Sequence, residues 1–269
     1  MTRRVWLGVA LVAGLYLVAL LAPLLAPYDP TAQLDLAAGG LLGPSLAHPL
    51  GTDAFSRDLL SRLLYGARLS LWIAALAVLV AVTLGTAVGL AAGLAGGMVD
   101  AVLMRAVDAA LAIPRVFLLI VVLALWDQGG VPALILVLGV TGWFGTSRLV
   151  RAEVQSVRRR DFVLAARALG LSRRRIALRH ILPNVAGPII VTATLGVGNT
   201  VLIEAALSFL GIGIRPPLPS WGNMIFDGQA FLPTAPWQAI VPGLAVVGTV
   251  VAFSLLGDAL RDAWDPRTR

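Results

Sequence analysis

The sequence predicts an all-α membrane protein with six transmembrane helices, and three observations predict it. Of its 269 residues 58% are hydrophobic and only 13% are charged, whereas soluble domains carry about 25% charged residues. Uncharged runs recur along the chain at the ~20-residue length that crosses a bilayer. Between two of them lies Arg148 to His180, which holds ten of the 21 basic residues against two acids, Glu153 and Asp161. That block has no place in lipid, so it is read as a loop, and the excess of arginine makes it cytoplasmic.

The first predicted span lies within Met1 to Tyr28, with no charge between Arg4 and Asp29. Arg3 and Arg4 set the N-terminus inside. TRRVWL has the look of a twin-arginine export signal, but the apolar run is long, no small-residue cleavage site follows and more spans come later, so it reads as a retained anchor. Asp29 to Arg68 carries four aspartates and three arginines and suits the outside. Within it Thr52 or Asp53 is expected to cap a short amphipathic helix with Leu59, Leu60, Leu63 and Leu64 on one face. Residues 1–68 thus form an anchor helix plus external loop, and 69–269 a core domain with five spans and a cytoplasmic loop over 148–183.

Leu69 to Val99 is uncharged, with Gly85, Gly89, Gly93 and Gly97 at every fourth position. That spacing lines one helical face and lets a neighbouring helix approach closely. Gly96-Gly97 is expected to end the span. Asp100 to Trp126 is too short in its uncharged part to span alone, so Arg105, Asp108 and Arg115 are expected on its helix, towards the cytoplasmic end. Arg105 and Asp108 are placed to pair at a spacing of three, and Pro114 to kink the helix. Charges at membrane depth are functional candidates; the competing reading is a structural ion pair near the helix end. After a tight turn at Asp127 to Pro132, the fourth span covers Gln128 to Ser147, with Trp143 near the inner interface.

The basic loop has internal order. Asp161 is expected to cap FVLAARAL, which Gly170 ends, and Ser172 to cap RRRIALRH, which closes near Pro183. Phe162, Val163, Ala166 and Leu169 form an apolar strip on the first helix. Composition leaves two readings open, a docking lever and a basic surface for anionic headgroups. The fifth span is Ile181 to Ile203, with Glu204 at its outer end, lining a pathway or capping an interface. Arg215 to Pro219 is expected to form an ordered external turn with Trp221 at the interface, and Phe226 to Pro236 the rest of the outer loop. Trp237 to Gly257 is the last span. Both termini fall inside.

Several chemistries are excluded. The chain has no cysteine and no lysine, which removes disulfides, thiol catalysis, cysteine metal sites and a P-loop of its own. His48 and His180 lie in separate segments, so no metal site is expected. The net charge of +7 is concentrated in one inter-helix loop, which argues against a nucleic-acid partner. No serine-hydrolase or zinc-protease motif occurs.

FVLAARALGLSRRRIALRHILPN (Phe162 to Asn184) resembles the so-called EAA loop of permease subunits in binding-protein-dependent ABC importers. The matching points are Ala165, Ala166, Gly170, Leu182 and Pro183; Leu164 stands where many members have glutamate, and His180 where many have isoleucine. HILPN, HPLGTDAFSRDLLSRLLYGARLSL, MRAVDAALAIP and EAALSFLGIGIRPPLPSWGNMI are similar to the peptide/nickel branch and its "C" permease. The resemblance implies a type I ABC importer (MetI-like) permease fold and a di- or oligopeptide substrate, with nickel complexes, glutathione or another small solute as the alternative. It implies a coupling helix of Asp161, Phe162, Val163, Leu164, Ala165, Ala166 and Leu169, ended by Gly170 and docked on a cytoplasmic ATPase. It further implies a homologous second permease, two ATPase subunits that hold ATP and Mg, an external solute-binding protein and a bacterial or archaeal inner-membrane location, with no cofactor bound by this chain. A competing class is a proton-driven secondary transporter with Asp108 and Glu204 as relay; an intramembrane enzyme and a pure scaffold are the others.

Overall fold

The computed structural model describes residues 3–34, 40–126 and 129–264. The start of the expected turn at Asp127 and the tail charges Asp265, Arg267 and Arg269 lie outside the described residues, as does the side chain of Arg4. The described chain is helical: α1 (Arg3–Leu25), α2 (Leu59–Ala95), α3 (Gly97–Leu111), α4 (Arg115–Leu125), α5 (Gly130–Val157), α6 (Asp161–Ala168), α7 (Arg173–Ile176), a π-turn (Ala177–Ile181), α8 (Leu182–Phe209), α9 (Trp221–Gln229) and α10 (Trp237–Trp264). Among the described residues five helical stretches are long and apolar enough to cross a membrane, and the bent pair α3–α4 brings the number to six if it is taken as one span.

The spans are longer than their uncharged runs. Helix α2 has 37 residues, about 55 Å at 1.5 Å each, against a hydrocarbon core of ~30 Å. It therefore absorbs the short amphipathic helix expected before it. Its cap is Asp58, not Thr52 or Asp53: the Asp58 carboxylate accepts from the Ser61 backbone N–H at 2.8 Å and from its hydroxyl at 2.7 Å. Helix α5 likewise runs ten residues past Ser147 into the basic segment, which becomes a turn only at Arg158–Arg160.

Glycines set the tightest interface. A β-carbon on Gly85 would lie 2.6 Å from Thr146 Cβ, one on Gly89 2.6 Å from the Ser147 carbonyl oxygen, and one on Gly93 2.7 Å from Val154 Cγ1. Helices α2 and α5 thus meet backbone to backbone, where lipid offers no hydrophobic drive and dispersion decides. Gly97 leaves that face. With φ +53 beside Gly96 at φ +68 it forms the corner from which α3 departs, and the left-handed region favours glycine at both.

Pro114 does more than kink the third span, because α3 and α4 meet at 81°. Proline supplies no N–H and disfavours helix at the residue before it. Near the end of α5 that enters the basic segment, Arg151 grips Asp100 on α3 with both Nε and Nη2, and Gln155 adds a third donor at 3.2 Å. Arg158 Nη1 donates to the Gly93 carbonyl at 2.7 Å. Two arginines of the basic segment, Arg151 and Arg158, thus hold helices together, and the exposed Trp6, Leu7, Leu17, Leu20 and Leu24 give α1 an apolar outward side.

The opposite end of the bundle is closed by a second polar cluster. Asp53 accepts from Arg57 Nε at 2.7 Å and lies 3.4 Å from Arg62 Nε, while Asp227 on α9 lies 3.4 Å from Arg57 Nη2. Gln238 on α10 donates to the Thr52 carbonyl at 3.1 Å. Helix α9 stands where a loop is expected. A capping box between Ser220 and Asn223 starts it, and Trp221 is buried rather than interfacial, its indole N–H donating to the Leu63 carbonyl at 3.2 Å.

Candidate functional site

Helix α6 is an eight-residue peg held at both ends. It follows the turn at Arg158–Arg160, where the Val163 and Leu164 N–H groups return to the Arg160 carbonyl at 2.9 and 3.2 Å. Arg160 is the cap residue and Asp161 the first helical residue, with no side-chain bond to the helix end. Asp161 therefore favours the start through its charge at the positive end of the dipole rather than by capping. The other end is a full Schellman closure: Gly170 N–H donates to the Arg167 carbonyl at 2.9 Å and Leu171 N–H to the Ala166 carbonyl at 3.2 Å. Gly170 has φ +77, where a β-carbon is strained.

The apolar strip divides into two faces. Val163 and Ala166 are buried in a cluster with Val154, Val157, Ile176 and Val185. They anchor the peg to the feet of α5 and α8 and offer no free surface, contrary to the expectation of a single contact strip. Leu171, partly buried, joins them. The outward face is Phe162 (40% exposed), Leu164 (48%) and Leu169 (79%), with exposed Ala165 beside them. Helical geometry requires this division, because positions 163 and 166 share a face and 162, 165 and 169 share another.

The second expected helix is not separate. Ser172 caps it, accepting from Arg175 N–H at 3.3 Å, but it flows through the π-turn into α8. Pro183 does not close it. Proline at the second position of α8 cannot donate, and the π-turn reroutes the ladder so that Leu182 N–H reaches the Ala177 carbonyl. The peg is therefore joined to α8 by only Leu169–Ser172.

The charged candidates are not brought together. Asp108 lies 3.8 Å from Arg148, and both side chains are more than half exposed; the expected Arg105–Asp108 pair is absent among the described residues, and Arg105 is exposed on α3. Glu204 is fully buried inside α8 rather than at its end. It accepts from the Ser70 and Ser208 hydroxyls, each at 2.7 Å, and Ser208 Oγ accepts from Ile214 N–H at 2.9 Å. This clasp fastens α2, α8 and the following turn. No hydrogen bond or ion pair among the described residues joins it to Asp108, as a relay would need. The Asp100–Arg151 and Asp53–Arg62–Asp227 clusters were not foreseen: each joins residues far apart in sequence.

Residues 85–269 match the model of the family described as binding-protein-dependent transport system inner membrane component. The chain belongs to that family. Residues 3–48 of the permease match the N-terminal transmembrane domain of oligopeptide transport permease C. The permease is 46% identical over 270 residues to the dipeptide transport system permease protein DppC of Escherichia coli K12, covering 97% of this chain and 88% of that one. It is 41% identical over 268 residues to the DppC protein of Alkalihalophilus pseudofirmus, covering 97% and 85%, and 38% identical over 271 residues to that of Haemophilus influenzae, covering 99% and 92%. The permease is a multi-pass membrane component of an ABC importer.

Proposed function

We propose that this chain is the permease subunit of an ATP-driven importer of di- or oligopeptides, supplying half of the translocation pathway. The observation that carries the coupling role is the two-faced peg α6. A helix anchored by Val163 and Ala166 to the ends of two spans, with Phe162, Leu164 and Leu169 turned outward, transmits an external push to those spans instead of absorbing it. The motor is a pair of cytoplasmic ATPase subunits that hold ATP and Mg; this chain binds neither and catalyses nothing. The other partners are a homologous permease and an external solute-binding protein, in the cytoplasmic membrane. The arginine-rich segment from Arg148 onward sets the α6 side, and with it both termini, in the cytoplasm. The dipeptide substrate is supported by the names of the relatives across nearly the whole chain.

The test uses the absence of native cysteine. Ala165→Cys on the exposed face of α6 is co-expressed with the sister permease and ATPases carrying single cysteines around their docking groove. Oxidation is expected to trap a permease–ATPase complex and stop uptake of labelled dipeptide, both reversed by reductant. Failure to cross-link at any groove position, in a complex that still transports, would overturn the docking role.

A further inference from the structure

A cavity of about 230 Å³ sits among the middles of α2, α5 and α8, and Arg115 at the start of α4 reaches into it. Its position follows from the 81° break at Pro114, which turns α4 so that its first residue faces the bundle. Gly142 makes room for the guanidinium: a β-carbon there would lie 3.1 Å from Arg115 Nη2. Within the chain, Arg115 donates from Nε to the Thr141 hydroxyl at 3.3 Å and from Nη2 to the Leu138 carbonyl at 2.8 Å. A guanidinium has five N–H donors. Among the described residues no carboxylate lies within salt-bridge distance of it; Glu204 is held by its serines and Asp108 faces Arg148.

The polar surroundings argue that this side does not face lipid. Asn199, about two-thirds of the way along α8, is exposed and Thr192 partly buried, and both line the cavity with Gly145. The Thr192 hydroxyl is held by the Pro188 carbonyl at 2.9 Å, but an exposed asparagine and a charge at membrane depth are tolerated where they line a watery route or a protein interface. We propose that Arg115 is an anion subsite of the pathway, and that it takes the C-terminal carboxylate of the peptide in transit. Two anchoring bonds fix the guanidinium plane and leave the remaining N–H donors for a planar carboxylate, the bidentate geometry arginine serves best. The peptide's ammonium end is repelled there, so the subsite orients its passenger. This inference rests on the peptide reading above.

A reporter cysteine fits at Gly145, where an added β-carbon meets nothing within 4 Å. The Gly145→Cys permease is assembled with its sister permease and ATPases, free of other cysteines, in liposomes, and labelled with a small uncharged thiol reagent. Millimolar dialanine is expected to slow labelling at least threefold, and its C-terminal amide less than 1.5-fold. Adding Arg115→Gln is expected to abolish the protection by dialanine, and Arg115→Lys to keep part of it. Equal protection by acid and amide, no protection by either, protection that survives Arg115→Gln, or a thiol that never reacts would each overturn the proposal. The acid–amide comparison needs no change at Arg115, so it stands even if Arg115→Gln does not assemble. Uptake of labelled dipeptides by the unmodified transporter with its binding protein, run in parallel, tests the peptide reading separately; no uptake there removes that reading, whatever the thiol shows.

Discussion

The Ser70 hydroxyl on α2 donates to Glu204 Oε2 on α8 across 2.7 Å, and neither residue reaches solvent. Ser208 satisfies the other carboxylate oxygen and accepts from the Ile214 N–H, so one acidic group holds two helices and a turn. Removing it leaves buried hydroxyls without their acceptor, at ~1–3 kcal/mol for each orphaned group. Glu204→Ala is expected to lower the thermal midpoint of the detergent-purified permease by several degrees, and Glu204→Gln, which keeps an acceptor, by much less. Thermal scanning with a fluorescence-detected size-exclusion readout checks this; equal midpoints for Glu204→Ala and the parent would show that the clasp contributes nothing.

The glycine face makes a sharper contrast. At Gly89 a β-carbon would lie 2.6 Å from the Ser147 carbonyl oxygen and 2.8 Å from Val150 Cβ, whereas Gly14 on α1 has nothing within 4 Å. Overpacking a close interface costs ~1–3 kcal/mol, while alanine is favoured over glycine in a helix by about 1 kcal/mol. Gly89→Leu is expected to destabilise or prevent folding, and Gly14→Ala to be neutral or mildly stabilising. Yield of monodisperse protein and thermal midpoint distinguish them, and a well-behaved Gly89→Leu permease would contradict the packing described.

Much of this was legible in the sequence, and the reasons for the rest are specific. The spans are long uncharged runs, so composition reveals them, and the four-residue glycine spacing points to a close helix pair. Helix ends were misjudged because hydropathy marks where lipid stops, while α2 and α5 continue beyond it. The strip on α6 was legible as apolar, yet which half faces inward depends on Val154, Val157 and Val185, residues on other helices. Asp100–Arg151 and Asp53–Arg62–Asp227 join segments with no local signature, and Arg115 acquires its cavity only through the angle at Pro114.

Asp227 on α9 offers a test through pH. Partial burial pushes its carboxyl above the usual range, and the nearby Arg62 and Arg57 only partly counter that. A carboxyl with a raised folded-state pKa binds more protons folded than unfolded. Its contribution to stability is therefore fully present below the unfolded value near 3.8 and is lost as pH rises through the folded value. Asp227→Asn is expected to gain stability relative to the parent at neutral pH, with the gap closing as the medium is acidified past the raised value. Thermal midpoints of both proteins across that range check the sign; a gap that widens on acidification would mean that the arginines, not burial, dominate.

The last prediction separates anchoring from contact on α6. Val163 is fully buried, while Leu169 is 79% exposed two turns along. A carboxylate at 163 would be desolvated without a partner, a cost large enough to break the local fold. One at 169 meets water in the isolated permease and is desolvated only against a docked ATPase. Val163→Asp is expected to lose stability and assembly together. Leu169→Asp is expected to insert and melt like the parent, yet retain at most a tenth of its ATPase co-purification and peptide uptake. Gly170→Val, forced to φ +77, should fall between them, because it disturbs the Schellman closure without touching either face. If Leu169→Asp retained full ATPase association, the outward apolar face could not be the docking surface, and the inward anchor would be the only role left for α6.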